Sequence, residues 1–571
     1  MINFLLQKII CISILTMAIY LISPQLAYAT NVTATTNSKC QKIILPADKD
    51  LVDFEAMRNR FSIQQYSGVT IGKISIINLP VFNLNNPDEN NFFYRFINNI
   101  HIPTKHDVVR RHLLFKKGDV LIPRLLIESE RILRKNSFLS DAIVLPHQRC
   151  GNSLDVIVVV RDLWTLLPKL YMSRKGGNNE YGLILEDENI FGTGNALFIE
   201  FINDPEREAK ALGFRTKLLF GTRISLNTFY SDNTDGFNKM LEVIRPFYSL
   251  DTTWSYGAQI NQKSFDESLE AYELDLEAFE HEENDYHLFV GYSAGLNKNF
   301  TRRYYYGFSR TEDKFNPVDE TSSIPENRIL AYPWLKYSII EDNFVIYKNL
   351  NTLYRTEDVS TGLGFSTLLG YADDVFDSEL SQWVFSLSLI DTPVKLEKHL
   401  LKAKFKTDGF WDHDRNNFVN TVTSVGLSYF WLLTEKQRAF IGLSYDHGKN
   451  LAQDNLLPLG GEEGLRGYPS EYLLGERRFL LNLEHRYFFN SHYLNLFRFA
   501  SVLFLDIGQT SYSENSNSRD SELLTSAGVG IRINSSKTNI SKIIHIDLAF
   551  PLKNNDDLSS YQLRITADAT F

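Results

Sequence analysis

Residues 561–571 read Tyr-Gln-Leu-Arg-Ile-Thr-Ala-Asp-Ala-Thr-Phe. Tyr561, Leu563, Ile565, Ala567, Ala569 and Phe571 share one parity, and Gln562, Arg564, Thr566, Asp568 and Thr570 share the other. Successive side chains of a strand point to opposite faces, so this stretch has one apolar and one polar face. The same texture recurs upstream: Trp254, Tyr256, Ala258 and Ile260 alternate with Ser255, Gly257 and Gln259, and Ile441, Leu443 and Tyr445 with Gly442, Ser444 and Asp446. A soluble sandwich alternates too, so one strand decides little. Many such strands between residues 163 and 571, with aromatics near their ends, fit a mainly β chain whose bulk is a transmembrane antiparallel barrel, lipid on one face and water on the other. At about 25 residues per strand and loop, that region holds about sixteen strands, and an even count puts both barrel ends on one side of the membrane.

Composition agrees. The chain has 571 residues, 59 Lys+Arg against 69 Asp+Glu and a net charge of −10, a balance that argues against nucleic acid as partner. At 22% charged and 43% hydrophobic, wholesale disorder is excluded. The 40 Phe, 28 Tyr and 6 Trp favour strands and membrane interfaces.

Residues 1–29 read as an export signal: Lys8, an apolar core from Ile9 to Ile22, then Ala27-Tyr28-Ala29. The core is too short to span a bilayer of about 30 Å as a helix. Cys11 lies inside it behind Ile10, which fails a lipoprotein reading. With the signal removed near Thr30, Cys40 and Cys150 remain. An oxidising compartment allows them to pair; the alternative is two separate thiols. No later segment is apolar for long enough to cross a bilayer as a helix, a limit that does not apply to barrel strands.

Residues 30–68 read as a linker, with a local helix around residues 51–60. Residues 69–162 read as an α+β domain. A strand over 69–79 is followed by a helix from Lys105 to Phe115 with Thr104 as N-cap, and a second helix from Ile122 to Lys135 carries a stripe of Ile122, Leu125, Leu126, Ile132 and Leu133. Strands over 142–146 and 154–162 close the unit. The order permits a three-stranded sheet covered on one face by two helices.

From Gly460 the chain reads "GGEEGLRGYPSEYLLGERRFLLNLEHRYFF". Leu465-Arg466-Gly467-Tyr468 matches an aliphatic-Arg-Gly-aromatic tetrad, and here the sequence resembles the BamA/TamA superfamily of outer-membrane assembly and transport barrels. Further pieces match in order: "LEDENIFGTGNAL" (Leu185–Leu197), "LFLDIGQT" (Leu503–Thr510), "GVGIRI" (Gly528–Ile533), "HIDLAFPL" (His545–Leu552) and the terminal Phe571. The 69–162 domain resembles a single polypeptide-transport-associated (POTRA) domain. The resemblance implies a tetrad at the tip of an extracellular loop folded into the lumen, its arginine paired with an acid on the strand that Asp506 matches. Parity agrees: with Leu503, Leu505 and Ile507 on lipid, Asp506 points inward. Such a charged hydrogen bond is worth about 1.5–3 kcal/mol. Glu484 has lumenal parity on the preceding strand and is the reserve partner; the alternative is a solvated Arg466.

Closure requires the first strand, about Leu166 to Met172, to meet 561–571, with Tyr561, Leu563, Ile565 and Phe571 at the seam. A weak seam opens sideways and offers an edge to an incoming strand. Phe571 also reads as an aromatic-belt residue serving this barrel's own insertion.

Gly291-Tyr292-Ser293-Ala294-Gly295 matches G-x-S-x-G, but the following "LNKNFTRRYYYGFSR" has hairpin character rather than the strand-turn-helix of a nucleophile elbow. "HEENDYH" (His281–His287) lacks H-E-x-x-H spacing, so no metal site is read. No Walker-type run occurs, and no cofactor is expected. The expected protein is no enzyme. It is an outer-membrane barrel with its POTRA domain in the periplasm, inserting or passing unfolded outer-membrane or secreted client polypeptides by strand pairing in contact with the bilayer, with room for a periplasmic accessory protein. The alternatives are a partner-specific secretion pore and a passive pore or surface antigen.

Overall fold

The computed structural model describes residues 40–43, 53–175, 178–204, 207–271, 274–317, 324–452, 455–511, 522–538, 543–553 and 558–568. The expected export signal, most of residues 30–52 and Phe571 lie outside these.

The N-terminal domain contains β1 (Gln41–Lys42), α1 (Phe54–Arg60), β2 (Thr70–Leu79), α2 (Phe92–Ile100), α3 (His106–His112), α4 (Pro123–Arg134), β3 (Leu139–Cys150) and β4 (Ser153–Asp162). The sheet order is β1-β3-β4-β2, with β2 parallel and β3 antiparallel to β4. Cys40 and Cys150 are joined by a disulfide beside the short β1. On β4, Val156 to Val160 form an unbroken apolar run, the pattern of a strand covered on both faces. Val156, Val158 and Val160 pack with Val108, Val109, Leu126 and Leu133 of α3 and α4. Ile157 and Val159 pack on the other face with Phe54 and Met57 of α1. The expected one-sided sheet is therefore two-sided, because part of the expected linker folds onto it. Thr104 does not cap α3: its hydroxyl donates to Asp162 Oδ1 at 2.8 Å.

From Leu166 onward the chain builds a closed antiparallel barrel of 20 strands, not about sixteen. The allowance of about 25 residues per strand and loop was too generous, because several connections are tight. Lys298–Asn299, both with positive φ (47° and 66°), join Leu274–Asn297 to Phe300–Pro317 in two residues, as type I′ geometry allows. With an even count, the first and last strands end on the same rim, here called the near rim because the N-terminal domain packs on it.

The apolar parity faces outward. Leu170, Met172, Leu185, Tyr256, Leu288, Tyr306, Leu335 and Leu503 are exposed, whereas Asp506, Ser526 and Asp547 on the inner face are buried. No helix among the described residues is long and apolar enough to cross a membrane. Sequential strand pairing is interrupted twice. Residues 342–363 leave the near rim between strands Arg328–Glu341 and Gly364–Ala372, and residues 450–476 leave the far rim between Gln437–Lys449 and Arg477–Tyr493. Both excursions turn back against the inner wall.

Candidate functional site

Strand Arg477–Tyr493 pairs with Phe497–Ser511 in a register that sets Asn482 opposite Asp506 and Glu484 opposite Phe504, all on the inner face. The far-rim excursion brings the tetrad to them. Arg466 donates from Nε to Asp506 Oδ2 and from Nη2 to Oδ1, both at 2.8 Å, a bidentate fork. Its Nη1 lies 2.9 Å from Glu484 Oε1, and its guanidinium stacks on Phe504 at 3.7 Å from the ring centroid. Asn482 Nδ2 donates to Asp506 Oδ1 at 2.7 Å and to the Gly464 carbonyl at 2.9 Å. Asp506 and Glu484 thus both engage Arg466.

Apolar packing seats the same loop. Leu465 and Tyr468 are buried with Leu459, Tyr472, Leu480 and Leu524, and the Tyr468 hydroxyl donates to the Thr525 carbonyl at 2.9 Å. Gly467 has φ +97°, and a Cβ there would lie 3.2 Å from Ser526 Cβ, so both backbone and space favour glycine.

The ion-pair network continues inward. Arg486 donates from Nε to Glu484 Oε2 at 2.8 Å and from Nη1 to the Leu350 carbonyl at 3.3 Å. Leu350 tips the near-rim excursion, whose arms Phe344–Lys348 and Thr356–Ser360 pair as a hairpin. Sequence reading missed this hairpin. Its tip is ordered by Glu357, which accepts the N–H groups of Leu350, Asn351 and Thr352 at 2.9–3.1 Å. Leu350 packs with Leu400 and Phe430, and Leu353 with Phe488, Ala500 and Ile543. Its base is tied to the N-terminal domain: Arg134 forks onto Asp358 with two 2.7 Å bonds, and Thr356 donates to Asp141 at 2.9 Å. One bonded path, Asp506–Arg466–Glu484–Arg486–Leu350, therefore joins loops that enter from opposite ends.

Between the N-terminal domain and the lumen lies a cavity of about 720 Å³, lined by Arg60, Asp141, Arg161, Lys348, Arg355 and Lys537 among others.

The seam is built differently. Strand Leu166–Lys175 pairs with Asn178–Asp187 at ten positions, and Gln562–Asp568 pairs with Ile543–Pro551 at seven. Between the first and last strands, the described residues contain one pair, Ile565 with Arg174. Leu563 is set against Leu548 on the other side, and Tyr561 is exposed just before the strand. Pro168 on the first strand brings no N–H, a residue type that sheets confine to edges.

Ser293 sits buried in strand Leu274–Asn297, its hydroxyl accepting the Gly295 N–H at 3.1 Å, and no strand-to-helix turn is formed there. His281, Glu283 and Asp313 gather their ligand atoms within 4.8 Å, but Arg328 lies 2.8 Å from Asp313 and Lys263 2.7 Å from Glu283, so both carboxylates already have cations.

No protein-family model and no curated protein matches the chain. Among solved structures, it is similar to BamA from Haemophilus ducreyi lacking POTRA domains 1–3, at 13% identity and TM-score 0.37 over 88% of this chain and 85% of that one. It is similar to CdiB from Acinetobacter baumannii, at 13% identity and TM-score 0.41 over 100% and 98% of the two chains. CdiB from Escherichia coli gives 12% identity and TM-score 0.44 over 95% and 93%.

Proposed function

We propose that this chain is an outer-membrane barrel of the BamA/TamA type that inserts or passes client polypeptides by β-strand pairing, with residues 69–162 as a single periplasmic POTRA domain. The near rim is then periplasmic, and the tetrad loop enters from outside. The observation that carries the reading is the contrast around Asp506: an inward loop locked by a buried bidentate pair, a few strands from a seam at which the described residues hold one ladder pair. A barrel built only to be a wall gains nothing from an unfinished seam, whereas an edge that opens offers its N–H and C=O groups to an incoming strand.

The N-terminal sheet adds a second edge. The outer edge of β3 is capped by side chains, Val144 N–H donating to Glu130 at 2.7 Å and Arg134 to the Ala142 carbonyl at 2.8 Å. On the other edge, the start of β2 is already held by residues 118–121, the Ile71 N–H donating to the Asp119 carbonyl at 2.8 Å and the Gly118 N–H to the Ile71 carbonyl at 2.9 Å. The later part of β2 has no further strand beside it among the described residues, and that part is the docking side for an extended chain. No step needs covalent chemistry or a cofactor. The reading as a passive pore is disfavoured by the two inward excursions, which obstruct the lumen from both ends; a secretion pore for one partner stays the second reading.

The test is to reconstitute the protein in liposomes with an unfolded barrel client and lock the seam with Arg174→Cys and Ile565→Cys. Client insertion should fall at least tenfold when the cysteines are oxidised and return on reduction. Undiminished insertion by the locked barrel would sink the proposal.

A further inference from the structure

Residues 80–105, between β2 and α3, form a strap along the near rim. On one side Tyr94 of α2 stacks on Phe82 with centroids 4.2 Å apart, and its hydroxyl donates to the Leu494 carbonyl. Glu89 lies 3.0 Å from Lys537, and Ile97 packs near Trp164 and Leu496. On the other side, the Lys105 N–H donates to the Gly192 carbonyl and Asn189 Nδ2 donates to Thr104 Oγ1, both at 2.9 Å. Leu494 and Lys537 belong to connections among the last barrel strands; Asn189 and Gly192 belong to the turn after the second. In the circular strand order these anchors flank the seam, so the strap passes beneath it.

The two faces of α2 differ in kind. Tyr94 is turned inward and buried, while Phe92, Phe93, Phe96 and Ile100 are 81%, 55%, 50% and 49% exposed. The apolar surface does not stop there. It runs through Ile102 to Phe191, 68% exposed on the adjoining turn, and reappears at Phe220, 95% exposed on the following near-rim turn. Phe191 and Phe220 hold φ of +52° and +50°, a left-handed conformation that bulky residues avoid. Two aromatics in this costly conformation, pushed outward, gain nothing from protein contacts. At the ends of the strands just above, Leu166, Leu185 and Leu197 are exposed on the lipid face, so this surface continues the barrel's own belt. An amphipathic helix with aromatic residues beside such a belt has the composition of an interfacial element.

We infer that the outer face of α2, with Ile102, Phe191 and Phe220, is seated in the near leaflet of the membrane. The occupant is phospholipid, and the N-terminal domain carries a lipid-seated strap across the seam. This inference stands whether or not the barrel handles client chains.

The test uses the chain from Thr30 onward in phosphatidylethanolamine–phosphatidylglycerol vesicles, with Cys40 and Cys150 left in their disulfide and one added cysteine carrying a nitroxide. A label at Phe96→Cys should collide with oxygen and be shielded from a water-soluble nickel chelate, as a label at Leu170→Cys on the belt is. Nickel access equal to that at His413→Cys, on an exposed far-rim loop, would overturn the inference, and so would shielding from both reagents, which marks a protein cover. In a second arm, the Phe92→Ser/Phe93→Ser/Phe96→Ser variant, labelled at Ile100→Cys, should show at least a threefold rise in nickel access. These side chains point away from the protein core, so the fold should survive. No rise would count against lipid seating.

Discussion

Two parts of one barrel wall close by different means. From Arg477 to Pro551, strands pair along most of their length, with one register shift between Phe488 and His492, and their inner faces are tied by Asp506, Arg466, Glu484, Arg486 and the Arg532–Asp547 pair. Around the seam, the strands Leu166–Lys175 and Gln562–Asp568 share one pair among the described residues. The tied wall gains cohesion from groups that cannot be separated cheaply, because a buried charge left without its partner carries the full desolvation cost. Among the described residues the seam gains little from its own ladder, and it is bridged below by the strap. Rigidity is thus concentrated on one arc, which leaves the other to respond.

The contrast can be broken first at its strongest point. Arg466→Ala leaves Asp506 and Glu484 facing each other without their shared cation and should cost about 3–5 kcal/mol, read as loss of the compact, heat-modifiable band at lower temperature. A loss below about 1 kcal/mol would mean the loop is held by apolar packing alone. Next, Arg134→Ala removes the fork onto Asp358 and should cost about 1.5–3 kcal/mol locally. Its sharper readout is conductance in planar bilayers, which should rise as the near-rim hairpin loosens; unchanged conductance would show that the tip contacts of Leu350 and Leu353 suffice.

Acid should weaken the seam side selectively. Burial lowers the His112 pKa from 6.5 to about 4, with Lys217 and Arg223 beside it disfavouring the charged form and the Val108 carbonyl partly opposing the shift. The folded state therefore binds this proton less readily than the unfolded one. The stabilisation is complete above about pH 6.5 and is lost as pH falls toward 4. Allowing for partial exposure, the loss should be about 1–2 kcal/mol. It falls where Arg223 donates to the carbonyls of Arg111 and Leu113. His112→Phe should flatten that part of the pH profile of domain release, measured by proteolysis; an unchanged profile would assign the acid response elsewhere. The smallest effect belongs to the seam. Arg174→Ala should change stability by less than about 0.5 kcal/mol, as surface changes usually do. A larger loss would show that more holds the edges together than the recorded ladder.

The barrel was legible because its signal is local. Alternation along residues 254–260 and 441–446 records which side chains face out of the barrel, whatever the neighbouring strand is. Strand number was not, since it depends on how many residues each connection consumes. Lys298–Asn299 spend two, and the excursions at 342–363 and 450–476 spend more than twenty each. The tetrad was legible through the resemblance that it carries together with the other matching pieces in order. The near-rim hairpin did not, because "NFVIYK" and "TEDVS" have the composition of any other strands and only their contacts turn them inward. The strap was missed for a related reason: its four exposed apolar residues resemble a core stripe when the domain is read as water-soluble.

What the sequence determined by itself was the parity of the alternating strands, which put Asp506 on an inner face; the place of Arg466 at a loop tip came from the resemblance that its tetrad carries, and the cover on both faces of β4 was not expected. Parity follows from the side-chain period of a strand, whatever lies beside it. The tertiary structure alone decided the circumference, the pairing of the first and last strands, and the meeting of two loops through Glu484 and Arg486. These depend on register between strands hundreds of residues apart, and no local pattern encodes that register.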